Sequence, residues 1–226
     1  MAKIGFSQTI TGQDGGRQPE RKVIASVIAE ALGCTASYAG APSFGYTAGG
    51  WGVSKNAQVS SPAMDTSDLA EVETVLTALK TAELTAKETL LITIHGISEL
   101  EAGILGSVLK SKETLLKKAL QTNQPFTVTY ENEEVTLPFF TATLDTDKLC
   151  AYLTLAMKLA EFAKTLKYTS AVEKVVDNEK YAFRCFLLRL GFIGEEYKTE
   201  RKLLLAPMEG NGAYKAKNTE VEVIAI

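Results

Sequence analysis

The sequence predicts an α+β fold. Two βαββα units supply antiparallel sheet covered by helices, and a C-terminal helical extension with a helix–turn–helix-like outline follows. Three observations lead there. Long stretches carry apolar residues at helical spacing, whereas shorter ones alternate or run unbroken as strands do. The order strand, helix, hairpin, helix occurs twice. Asp65-Thr66-Ser67-Asp68-Leu69 and Asp145-Thr146-Asp147-Lys148-Leu149 mark matching helix starts in the two copies. The units span 1–84 and 85–168, leaving 169–226 for the extension. Identity between the copies is otherwise slight, so the repeat is one of structure rather than of sequence.

Lys3 to Thr9 reads as the first strand. Thr11 to Glu20 is a Gly-rich connector whose Asp14-Gly15-Gly16 lacks the spacing and terminal lysine of a phosphate-binding loop. From Glu20 to Leu32, Val23, Ile24, Val27, Ile28 and Ala31 mark one helix face, and Gly33 ends it. Thr35 to Gly40 and Phe44 to Ser54 read as strands joined by Gly40-Ala41-Pro42-Ser43. Ser60 to Thr66 is a linker. Asp65 and Ser67 are capping residues for a helix from Asp68 to Ala82, with Leu69, Val72, Val75, Leu76 and Leu79 inward.

The second unit opens with the strand Thr89 to His95. Ser98 starts a helical region reaching Leu120, with a break at Lys112. Phe126 to Tyr130 and Val135 to Phe140 form a hairpin turned at Glu131-Asn132-Glu133. Asp145 to Asp147 begins a long helix to Lys167. In the extension, a largely apolar helix from Tyr181 to Leu190 stops at Gly191, and a charged segment from Glu195 leads to Leu205. If the hairpins extend one sheet with helices on one face, the other face is open to a partner or to a second subunit.

The 226 residues are 46% hydrophobic and 23% charged, ordinary for a folded chain. The net charge of −3 shows no basic surplus, so nucleic-acid binding would need a local patch. Cys34, Cys150 and Cys185 lie far apart in apolar contexts and read as small buried hydrophobes in a reducing compartment. MAKIGFSQTI has no signal-peptide core, and no apolar run is long enough for a membrane span. These features lead to the expectation of a soluble, cytoplasmic protein.

Few residues carry chemistry. His95 is the single histidine, so zinc lacks ligands and any Ser–His or Cys–His relay would rest on it alone. Asp145 and Asp147 with Glu131 or Glu133 suit a hard cation, but helix capping explains the aspartates better. Phe44, Tyr46 and Trp51 lie among glycines, in a hairpin suited either to stacking a nucleotide or to packing across a bulged ribbon. Arg184 and Arg189 interrupt an apolar helix and need a partner: a carboxylate such as Glu161 or Glu179, a carbonyl, or an external anion. Read as a helix–turn–helix, the segment would present Lys198, Arg201, Lys202, Lys215 and Lys217 to phosphate, diluted by Glu195, Glu196 and Glu200.

The run Val176 to Gly194 (VDNEKYAFRCFLLRLGFIG), with Glu196-Tyr197-Lys198 and Arg201-Lys202, resembles the C-terminal signature of the so-called virulence-related proteins of Firmicutes prophages and conjugative elements. The Gly40 to Tyr46 and Leu137-Pro138-Phe139-Phe140 patterns are similar too, so the resemblance covers most of the chain. It departs at Asn218 to Ile226, a more apolar tail that reads as a further strand. The resemblance carries over no catalytic residues. It implies an accessory protein of a phage or mobile element, acting on host defence or on the element's own DNA. The expectation is therefore a non-enzymatic protein without cofactor that binds a host protein, plausibly a defence component. The alternatives are nucleic-acid binding through the C-terminal segment and nucleotide capture by the aromatic hairpin.

Overall fold

The computed structural model describes residues 3–12, 19–65 and 68–213. In chain order the elements are β1 (Lys3–Gly12), α1 (Arg21–Ala31), β2 (Ser37–Tyr38), β3 (Tyr46–Ala48), β4 (Trp51–Val53), β5 (Gln58–Ser60) and α2 (Leu69–Thr81). They continue with β6 (Leu84–His95), α3 (Glu99–Lys110), α4 (Glu113–Leu120), β7 (Thr129–Glu131), β8 (Glu134–Thr141), α5 (Thr146–Thr165), α6 (Glu179–Arg189) and α7 (Lys198–Leu205).

All the strands join one antiparallel sheet in the order β2-β3-β4-β5-β1-β6-β8-β7. β1 and β6, the first strands of the two units, pair at its centre from Lys3↔His95 to Gly12↔Leu84. Each is flanked by a strand from its own half of the chain, β5 beside β1 and β8, the return strand of the β7–β8 hairpin, beside β6. The chain thus adopts the α+β architecture, but the expected repeat is uneven: four short strands, not two, lie between α1 and α2, and the helix between β6 and its hairpin is split into α3 and α4. All the strands share one sheet and one apolar core.

Alternation explains how the sheet acquires two unlike faces. Ile4, Phe6 and Ile10 of β1, Leu90, Ile92 and Ile94 of β6, and Val135 and Leu137 of β8 are buried on one side. Burying each such side chain contributes roughly 1.5–3 kcal/mol. The helices touch one another in series, α1 with α2, α2 with α5, α3 with α5, and α5 with α7. A connected layer of that kind lies on a single face of the sheet.

Several boundaries differ from the sequence reading, each for a local reason. The expected strand Phe44 to Ser54 is a two-residue hairpin, because Gly49 and Gly50 both take positive φ between Ala48 and Trp51. The expected linker Ser60 to Thr66 is partly sheet: Ser60 ends β5, which pairs with β1, and Met64 bridges to Ile4. Lys112 does break the helix: it is the cap residue between α3 and α4. Asp145 caps α5 by accepting from the Lys148 N–H at 2.9 Å. Ser98 and Glu101 form a reciprocal capping box on α3. The cysteine expectation fails in two of three cases: Cys34, just past α1, and Cys185, on the outer face of α6, are exposed, and Cys150 is half-buried. Among the described residues, no helix is long and apolar enough to cross a membrane.

Candidate functional site

The face of the sheet turned away from the helices is polar. Ser7, Thr9 and Thr11 of β1 stand beside Thr89 and Thr93 of β6 and Thr136 of β8, all half-buried by their neighbours. Leu91 lies among them and does not join the core. Hydrogen bonds order the surface: Gln58 Nε2 donates to Ser7 Oγ at 3.0 Å, and Thr11 and Thr85 hydroxyls meet at 3.1 Å. The strands that form this face span on the order of 700 Å² at ~4.8 Å per strand and ~3.3 Å per residue. A typical interface needs about 800 Å² from each partner.

His95 lies at one end of this face. Its Nδ1 meets Glu134 Oε1 at 2.8 Å, a cross-strand pair set by the β6–β8 register. Its other nitrogen lies over Gly5, 3.5 Å from where a Cβ would stand, and Ser61 Oγ is 3.7 Å from the same point. A Cβ there would meet the imidazole, Ser61 and the Pro62 carbonyl at ordinary van der Waals distance. The three groups resemble a Ser–His–acid relay in composition only. Ser61 Oγ already accepts from the Phe6 N–H at 2.9 Å and donates to the Pro62 carbonyl at 3.0 Å. A nucleophile needs its proton directed at the base, and this one is directed elsewhere.

The aromatic hairpin is turned inward. Trp51 is fully buried, edge-on to Phe6 with ring centroids 5.6 Å apart, and its Nε1 donates to Glu71 Oε1 at 2.7 Å. No face of the indole is left for a base. Tyr46 is half-buried against Tyr38, and only Phe44 is largely exposed. The glycines serve close packing: a Cβ on Gly45 would stand 2.9 Å from the Val53 carbonyl oxygen, and one on Gly49 2.7 Å from Leu32 Cδ1.

The C-terminal cations are largely engaged. Arg201 donates to the carbonyls of Phe192 at 3.0 Å and Gly194 at 2.8 Å, fastening the turn between α6 and α7. Arg184 donates to Gly212 O at 3.3 Å. Lys198 pairs with Glu195 at 2.8 Å. The carboxylates expected to meet the arginines serve lysines instead, Glu179 with Lys118 and Glu161 with Lys158. Arg189 is exposed; together with burial, which acts first, its charge holds the Lys112 ammonium below its usual range. Lys202 is exposed. Lys215, Lys217, the Asp14-Gly15-Gly16 loop and the apolar tail from Asn218 lie outside the described residues. Among the described residues no group of three His, Cys, Asp or Glu is placed to hold a metal ion.

The open face was legible only in part. The strands Lys3 to Thr9 and Thr89 to His95 were readable, but their pairing, from Lys3↔His95 to Gly12↔Leu84, joins segments far apart in sequence, and no local pattern reports which side chains then share the open face. No protein-family model matches the chain, and no curated protein matches it significantly.

Proposed function

We propose that this chain is a non-catalytic binding protein that receives another protein on the uncovered face of its sheet. One observation carries the reading. The sheet buries its apolar side chains on one side only and holds an ordered hydroxyl-rich surface on the other, with no described element over it. A flat array of short Ser and Thr side chains loses little side-chain entropy on docking. The resemblance in the last third of the chain favours a phage or mobile-element setting, and with it a host protein, a defence component above all, as the partner.

Nucleic-acid binding by the C-terminal segment has weaker support. Arg184 and Arg201 already donate to backbone carbonyls, and α7 packs on α5 instead of standing free. The open face likewise lacks the aromatic platforms that hold single strands. Nucleotide stacking on Phe44, Tyr46 and Trp51 is left with Phe44 alone as an accessible ring. A second copy of the chain is the remaining occupant of the open face.

The test uses the double variant Thr9→Glu, Thr93→Glu, placed centrally on the open face, beside Lys202→Glu on α7. Binding to the host partner, measured by quantitative pull-down, is expected to fall at least tenfold for the first and to stay unchanged for the second. Circular dichroism must show both variants folded. Retention of the partner by the open-face variant, or its loss in Lys202→Glu alone, overturns the reading.

A further inference from the structure

We propose that the crevice between α4, α5 and α7 binds a small amphipathic anion, a carboxylate carried on an apolar body. The site lies behind the helix layer, away from the sheet face, and is independent of it.

The crevice has a volume of about 350 Å³, within the range of sites for small organic molecules. Its walls are apolar: Ala151 of α5, Leu203 and Leu204 of α7, and Pro207 beyond it. Three polar groups interrupt them, Gln121 at the end of α4 and Lys148 and Tyr152 on consecutive turns of α5.

Tyr152 is the group that points to a ligand. The residue is only 3% exposed, and its ring packs 5.1 Å from Phe140. A tyrosine buried to that degree ordinarily hydrogen-bonds its hydroxyl. Here the hydroxyl makes no hydrogen bond to any described residue, and it is not sealed off but lines the crevice. Burial also pushes its pKa up to about 12, so the group stays a donor at neutral pH.

Lys148 supplies the charge. Its ammonium lies 5.8 Å from the centre of the Tyr152 ring and has no carboxylate partner among the described residues. Its own backbone N–H is taken by Asp145. A cation and a phenol, both donors without an acceptor, at the rim of an apolar crevice select a ligand with an anionic head and an apolar tail. A neutral apolar guest would leave both donors unpaired in a dried site, which disfavours it.

The experiment titrates the full chain with decanoate by calorimetry, with decyltrimethylammonium and acetate as controls for charge and for the apolar body. Decanoate is expected to bind saturably at one site, and neither control to bind. Lys148→Gln and Tyr152→Phe are each expected to weaken decanoate at least fivefold. Ala206→Trp, which fills the crevice mouth from an exposed position, is expected to abolish it. Circular dichroism melts confirm that each variant is folded. Equal binding of decanoate and decyltrimethylammonium, absence of decanoate binding at millimolar concentration, or decanoate binding unchanged in both Lys148→Gln and Ala206→Trp overturns the proposal.

Discussion

Each of the three thiols has its reactivity set by position. Cys34 and Cys185 are exposed, whereas Cys150 is half-buried on α5, and burial pushes its pKa up to about 11, assisted by Glu200, Asp147 and Glu73. At pH 8 about one Cys150 in a thousand is then thiolate, against roughly a quarter for an unperturbed thiol with a pKa of ~8.5. Titration with a disulfide reagent at pH 8 is expected to show two fast thiols and a third that reacts at least tenfold more slowly until the chain is unfolded. Three fast thiols would refute this placement. The sign of the linkage follows. Cys150 and Tyr152 both ionise at higher pH folded than unfolded, so their contribution is complete below about pH 9 and declines as pH rises toward 12. The urea midpoint should fall across that interval, and Tyr152→Phe should flatten its upper part.

Among the elements, the junction of β1 with the entry to α5 depends on one buried polar side chain. Gln8 is 1% exposed where the β1–β6 register shifts. Its Oε1 accepts from the Thr143 N–H and its Nε2 donates to the Thr143 carbonyl, both at 3.0 Å. The side chain thus replaces a missing strand partner, two residues before the Asp145 cap. Gln8→Leu preserves volume but leaves both backbone groups of Thr143 unpaired. The expected cost is about 2–4 kcal/mol, from the desolvation penalty of an unsatisfied group, read as a shift of the urea midpoint at constant slope. A loss below about 0.5 kcal/mol would mean that water satisfies Thr143 and that the clamp contributes little.

At the scale of the whole molecule, the first half of the chain, through α2, and the second, from β6, cannot separate without opening the β1–β6 seam and dividing one core. Equilibrium unfolding is therefore expected to be a single transition. Trp51, the only tryptophan, reports on the first unit, while far-ultraviolet circular dichroism is dominated by helices of both. The two signals should coincide in urea midpoint. A resolved early phase in one of them would show that the units are energetically separate.

Local physics settled much of this architecture before any tertiary contact. Apolar spacing placed the α2 and α5 faces, the Asp145 and Ser98 caps were readable from residue type, and the break at Lys112 lay between two apolar stripes. These features depend on residues within one or two turns of each other. Trp51, Arg201 and Tyr152 were not readable in the same way. Whether an indole stacks a ligand or packs on Phe6, whether a guanidinium meets phosphate or the carbonyls of Phe192 and Gly194, and whether a phenol finds a partner depend on what distant segments bring alongside. The α+β class and the helix starts were legible in the chain alone, because alternation and capping are short-range. Which polar groups are already satisfied and which stay open follows from the folded arrangement, because hydrogen-bond partners are chosen across the fold and not along the chain.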